Sequence, residues 1–193
     1  MSVDWGRIAR WMTLLQDDDP AELQALFSAH GARGPSIKWD PPVDTIRPMP
    51  LRFTLDLWHQ AASLGLPTPR FVDPIKLAPA LGYLLLVDVV DGGRDFVYRL
   101  FGTHISAVSG FDMTRRKLSD HPASPHIREF SMALYRAVMI RREPVWSHYG
   151  PAMAVSTAAW ERVILPLVDA GGTVCRFLVA IVPIGLDGNI LKG

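Results

Sequence analysis

The order of apolar segments predicts an α+β fold: a five-stranded antiparallel sheet with helices on one face, preceded by an N-terminal helical extension. Two strand-like runs, Tyr83–Val90 and Phe96–Phe101, flank an Asp91-Gly92-Gly93 turn and precede a helical middle. Three more follow it, Pro144–Tyr149, Trp160–Val168 and Val174–Ile184, the last two joined by Asp169-Ala170-Gly171-Gly172. Tight turns make antiparallel neighbours, whereas a parallel sheet needs a crossover helix between each pair, so a Rossmann-type sheet is excluded. With 193 residues and 49% hydrophobic composition, the chain holds one core plus an extension and is too short for two full-sized domains.

At the N-terminus, Trp5, Ile8, Met12 and Leu15 recur every three to four residues and predict an amphipathic helix over residues 3–16. Asp19-Pro20-Ala21-Glu22 reads as a capping box opening a short helix whose apolar face is Leu23, Leu26 and Phe27. Between Gly31 and Pro50, five prolines remove backbone donors and disfavour helix, which predicts an extended linker. The expected organisation is therefore extension and linker over 1–50, a folded domain over 51–185 and a tail over 186–193. Within the domain, Thr54 is expected to cap a helix over Leu55–Leu64, with a second short helical stretch from Asp73-Pro74 to Leu81. Ser124-Pro125 opens the longest helix, with Ile127, Phe130, Leu134 and Val138 as its core stripe and Arg128, Glu129 and Arg136 off it. Pro166 forfeits a ladder hydrogen bond, so a bulge or strand end is expected there.

Charge and cysteine content exclude several functions. The formal net charge is +1 with scattered basic residues, which builds no field for nucleic acid, so none is expected as a partner. The single cysteine, Cys175, permits neither an internal disulfide nor a cysteine zinc site and suits a reducing compartment. No apolar run approaches the ~20 residues of a membrane span, and residues 1–5 lack a secretory leader, so the expected location is the cytoplasm. The N-terminal helix carries only two arginines beside its tryptophans, too few for strong attraction to anionic lipid; packing on the domain or on a second copy is expected instead. No Walker loop, His-Glu-x-x-His or glycine-flanked serine occurs, and an enzyme is not expected.

Several stretches, taken in order, carry a family resemblance: Leu57-Trp58, Leu66-Pro67-Thr68-Pro69-Arg70 ahead of Asp73-Pro74, Phe96-Val97-Tyr98-Arg99-Leu100-Phe101-Gly102-Thr103, Gly110-Phe111-Asp112-Met113-Thr114, and Glu161-Arg162-Val163-Ile164-Leu165-Pro166-Leu167. Over residues 53–184 the sequence resembles the PAS superfamily, and more closely a bacterial group of single-PAS proteins whose domain follows a tryptophan-containing helix. The resemblance implies a PAS-like sheet, a cavity between sheet and helices, and a sensory or adaptor role; architecture transfers well across such a family and function poorly. It leaves the cofactor open. The photosensory flavin type implies a reactive cysteine in an Asn-Cys-Arg-Phe-Leu-Gln loop, which is absent, and Cys175 falls in the last strand. Haem would need an axial histidine; His104, His121 and His126 are the candidates, and both flavin and haem are disfavoured.

Candidate ligand-binding residues are Tyr98, Arg99, Phe130, Leu134, Trp146, His148, Arg162 and Ile164. Arg99 and Arg162 are the charges suited to gripping a carboxylate, Trp146 shares a strand face with His148, and Phe130 and Leu134 lie on the long helix. The expected function is a stand-alone sensor that binds a small molecule and, with no effector module attached, signals by association, as a homodimer or with a separate regulatory protein. A constitutive interaction module with a filled core and no ligand is the alternative.

Overall fold

In the computed structural model, which describes residues 3–150 and 157–192, six strands form one antiparallel sheet in the order β1-β4-β5-β6-β2-β3. They are β1 (Ser36–Trp39), β2 (Leu84–Val90), β3 (Asp95–Phe101), β4 (Val145–Tyr149), β5 (Thr157–Val168) and β6 (Val174–Gly185). The helices are α1 (Trp5–Gln16), α2 (Ala21–Ala29), α3 (Met49–Ala62), α4 (Thr103–Ser109) and α5 (Pro125–Arg141). Strands β2 to β6 are the five predicted from sequence, and β1 is a sixth. Ser36-Ile37-Lys38-Trp39 is a proline-free tetrad inside the proline-rich segment, and it pairs with β4 from Ser36↔His148 to Trp39↔Val145. Pro35 on one side and Pro41-Pro42 on the other, which lack N–H donors, bound it to one short rung set.

Along β6, Phe177 to Val182 are all buried, so both faces of the sheet are covered. One face carries α5, whose Tyr135 stacks on Phe177 with ring centroids 4.9 Å apart. The opposite face carries α3, which lies against β5 and β6. Helices thus occupy two faces and not one. α3 begins earlier than predicted, at Met49, because Pro48 and Pro50 fall where missing N–H groups cost nothing; Thr54 is interior and buried, its hydroxyl donating to the Pro50 carbonyl at 2.7 Å. Trp58 of α3 donates its indole N–H to the Pro166 carbonyl at 3.1 Å. That contact answers the objection Pro166 raised. Pro166 pairs with Phe177 of β6 beyond the last β4 partner, Ile164, and the β5–β6 register slips just after it at Leu167 and Val168. The predicted bulge follows, and the orphaned carbonyl finds Trp58.

The segment Asp73–Leu81 forms turns and a 3-10 helix over Ala78–Tyr83, with no α-helix. At the other end of the sheet, the β3 backbone is partly covered by the chain that follows α4: Tyr98 N–H donates to the Arg116 carbonyl at 3.1 Å and accepts from Arg115 N–H at 2.6 Å through its own carbonyl.

The N-terminal helices belong to the same core as the sheet. Ile8, Trp11 and Leu15 are the buried face of α1, while Trp5 is nearly half exposed beneath Arg136 and Met12 only flanks the contact. The inward stripe is therefore rotated toward Trp11 relative to the one predicted. α1 packs on α5, and α2 adds Leu23 and Phe27. No capping box opens α2: Asp19 accepts from Ala21 N–H, but Glu22 turns back to Arg10 and to the Trp11 indole. The C-terminal carbonyls of α1, orphaned by helix geometry, are met by Trp39 of β1 at Leu15 (3.0 Å) and by Arg141 of α5 at Gln16 (2.8 Å), and Arg141 itself lies over the Trp39 ring.

Replacing Trp58 by Phe keeps the buried ring but strands the Pro166 carbonyl. Urea unfolding is expected to report a loss of about 1–3 kcal/mol with an unchanged m-value.

Candidate functional site

Between α4, α5 and the inner face of the sheet lies a cavity of about 480 Å³. Its apolar walls come from Leu85, Phe101, Ile105, Val108, Phe111 and Ile181, and its polar groups converge from several elements. β3 contributes Tyr98, β4 Tyr149, β5 Arg162, and the segment before α5 contributes His121. α5 contributes Arg128, Ser131 and Tyr135, whose spacing of three and then four residues lines them up on one helix face.

Arg162 is 3% exposed. Its Nε donates to the Ser147 hydroxyl at 3.0 Å and one terminal nitrogen to the Ser131 hydroxyl at 3.2 Å; the other, Nη2, has no partner. The guanidinium lies 5.3 Å from the Phe130 ring, 5.1 Å from Tyr149 and 6.0 Å from Tyr135, an aromatic cradle that offsets part of the cost of burying the charge. Arg128, 4% exposed, donates from one terminal nitrogen to the His121 carbonyl at 3.2 Å, and its Nε and Nη2 are without partners.

Burial shifts three groups at the site, His121, Tyr135 and Tyr98. Burial, reinforced by Arg128 and Arg162, lowers the His121 imidazole to about 4, so it is neutral at pH 7, and its Nδ1 accepts the Ala123 N–H at 3.1 Å. Burial pushes the Tyr135 phenol up to about 12 and raises Tyr98 well above the ordinary tyrosine range.

Of the residues singled out from sequence, Tyr98 and Arg162 line the cavity, and Phe130 lies beneath Arg162. Leu134 and Ile164 are fully buried core residues outside the lining. Arg99, Trp146 and His148 do not face the cavity, because strand alternation sends them to the other side of the sheet from Tyr98, Ser147 and Tyr149. Arg99 instead pairs with Asp88 at 2.7 Å with its side chain 57% exposed, and Arg176 pairs with the same carboxylate. Burial alone would raise Asp88, but the bonds from the two arginines outweigh it and hold the carboxyl below its usual range. The Trp146 indole donates to Glu161 at 2.8 Å, and its ring stacks on His148 with centroids 6.1 Å apart.

Among the histidines, only His121 reaches the cavity. His104 packs so closely on Gly82 and Tyr83 that a Cβ at Gly82 would collide with its ring, and His126 stacks on His30 and meets Phe27 edge-on. Cys175 is half-buried in β6, its thiol raised by burial and directed at the Leu167 carbonyl. The site residues missed from sequence are Arg128, Ser131, Tyr135 and Tyr149, and His121 was singled out only as a possible haem ligand. The spacing of Arg128, Ser131 and Tyr135 was the available signal for the helix set.

A family model described as a PAS domain matches residues 46–182. The chain belongs to the PAS domain family. Membership fits the sheet: without β1, the strand order is β4-β5-β6-β2-β3, with the helical middle crossing over between β3 and β4. The PAS domain is in general a sensory or regulatory module. No curated protein and no solved structure matches the chain. Among the described residues, no helix is long and apolar enough to cross a membrane.

The depressed imidazole of His121 fixes a sign for acid stability. In the unfolded chain it takes a proton near 6.5, in the folded one only near 4, so the unfolded state binds more protons in that window and stability is lost as pH falls from 6.5 toward 4. The contribution is of order 2–3 kcal/mol. In a His121→Asn variant, the decline in urea midpoint between pH 7 and pH 4 is expected to be shallower than in the parent.

Proposed function

We propose that this PAS domain is a sensor that binds a small molecule in the α5–sheet cavity and signals by changing its association with a second copy or with a separate regulatory protein, without turning the ligand over. The observation that carries the reading is the cavity itself: about 480 Å³, walled mainly by apolar side chains, with a few convergent polar groups.

Recognition without chemistry is supported by the state of the groups that face the cavity. A general acid or base works best with a pKa near the working pH. The phenols of Tyr98 and Tyr135 are raised by burial, and the imidazole of His121 is lowered to about 4. Each can orient a ligand; none is poised to trade a proton with it near neutrality.

Output by association is supported by the two sides of α5. Arg128, Ser131 and Tyr135 face the cavity, whereas the adjacent Glu129 accepts from Arg7 of α1 at 2.9 Å and from the Asp4 N–H at 3.1 Å. A shift of α5 on ligand binding therefore changes the seat of α1, whose outer surface includes the half-exposed Trp5.

Native mass spectrometry of gently purified protein from its natural source is expected to find a stoichiometric small-molecule adduct. A Val108→Trp variant, which fills the cavity from α4, is expected to lose the adduct while keeping its far-ultraviolet circular dichroism. Repeated absence of any adduct from the parent would favour the ligand-free interaction module. Removing the adduct is also expected to alter hydrogen-exchange protection across residues 5–16, and unchanged protection there would break the link from cavity to α1.

A further inference from the structure

Two buried cations, Arg128 and Arg162, face one cavity, and no carboxylate among the described residues pairs with either. Neither Arg128 nor Arg162 makes an ion pair among the described residues. The buried carboxylates Glu129 and Asp95 are committed elsewhere, Glu129 to Arg7 and the Asp4 N–H and Asp95 to Ser119 and the Phe96 N–H, and the partly buried Glu161 accepts from Trp146. The segment 151–156, Pro-Ala-Met-Ala-Val-Ser, contains no acidic side chain. An ion taken out of water costs several kcal/mol unless paired and fully hydrogen-bonded, and removing a partner from a buried pair is more costly than never having had one. Here three guanidinium nitrogens, Nε and Nη2 of Arg128 and Nη2 of Arg162, are buried without any acceptor.

Their surroundings keep the charge in place without neutralising it. Ser147 and Ser131 hold the Arg162 fork, and the three aromatic rings supply only quadrupoles. Arg128 is anchored by the carbonyl of His121 alone. Guanidinium geometry matches a carboxylate bidentately, and most of the remaining wall is apolar.

We propose that the ligand is a carboxylate with an apolar body, its anionic end taken by Arg162 and Arg128 and its hydrocarbon part lying against the wall formed by Ile105, Val108, Phe111 and Ile181. The proposal rests on the sensor reading of the cavity and adds the ligand's charge class to it. The carboxylate supplies the missing acceptors, and the cavity supplies the volume for a chain or ring.

The full-length protein, stripped of any adduct, is titrated calorimetrically with two matched series: butanoate, octanoate, dodecanoate and 3-phenylpropanoate, and the primary amide of each. At least one carboxylate is expected to bind, about 10–100-fold more tightly than its amide. Arg162→Gln and Arg128→Met, each checked for native circular dichroism, are expected to weaken the carboxylate by a similar factor and leave the amide unaffected. Should Arg162→Gln fail to fold, Arg128→Met alone decides. In the stripped state Arg128→Met is also expected to match or exceed the parent's melting temperature, since it removes an unpaired buried charge; a clear fall would mark Arg128 as a structural group and count against the proposal. Amides binding as tightly as carboxylates, or carboxylate affinity indifferent to both substitutions, would overturn the charge class while leaving a ligand-binding cavity intact. Binding of no member of either series, together with no adduct from native material, would remove both readings.

Discussion

Arg162 stands near the middle of β5 with its guanidinium enclosed between the sheet and α5, and its bonds to Ser147 on the neighbouring strand and Ser131 on the helix fix how those two layers are spaced. The planar guanidinium fork takes acceptors from both layers and has aromatic faces around it. Phe130, Tyr135 and Tyr149 supply those faces, and the space beyond them is the cavity. Arg162 thus stands where the sheet, α5 and the cavity meet.

α5 serves two interiors at once, which is why its apolar stripe understates its burial: from His126 to Val138 nearly every position is enclosed. On its sheet side it meets the cavity through Arg128, Ser131 and Tyr135. On its other side it receives α1, and the buried Glu129 is satisfied by Arg7 and by a backbone N–H at the start of that helix. Arg128 and Glu129 are neighbours of opposite charge that do not pair with each other; each turns to a different layer. The N-terminal segment is consequently part of the packing of the long helix, held at its far end by Trp39 and Arg141.

Most strands were legible in the sequence because glycine-containing turns bracket them and apolar residues fill them. β1 was not, since its four residues are surrounded by prolines and it forms only because β4 offers an edge. Within the site, alternation correctly grouped Trp146 with His148; it also put Leu100 on the Tyr98 face, where the β2–β3 register shift at Leu86 and Val87 overturns it, and it cannot say which face of a sheet looks onto a cavity. Arg99 and Arg162 therefore read alike from sequence and differ completely in the fold, one half in solvent beside Asp88 and the other sealed. Helical periodicity failed at Arg128 for a related reason: a polar position off the apolar stripe faces water in most helices, and an internal cavity has the same periodic signature.

The margins of the sheet have a consequence for how this molecule meets others. At one margin β1 presents only four residues between prolines; at the other, the backbone of Tyr98 is already bonded to the Arg115–Arg116 segment. Bare strand margins are the templates on which unrelated chains add and fibrils grow, and both are blunted here. Open-ended strand addition is therefore disfavoured at both margins of the sheet.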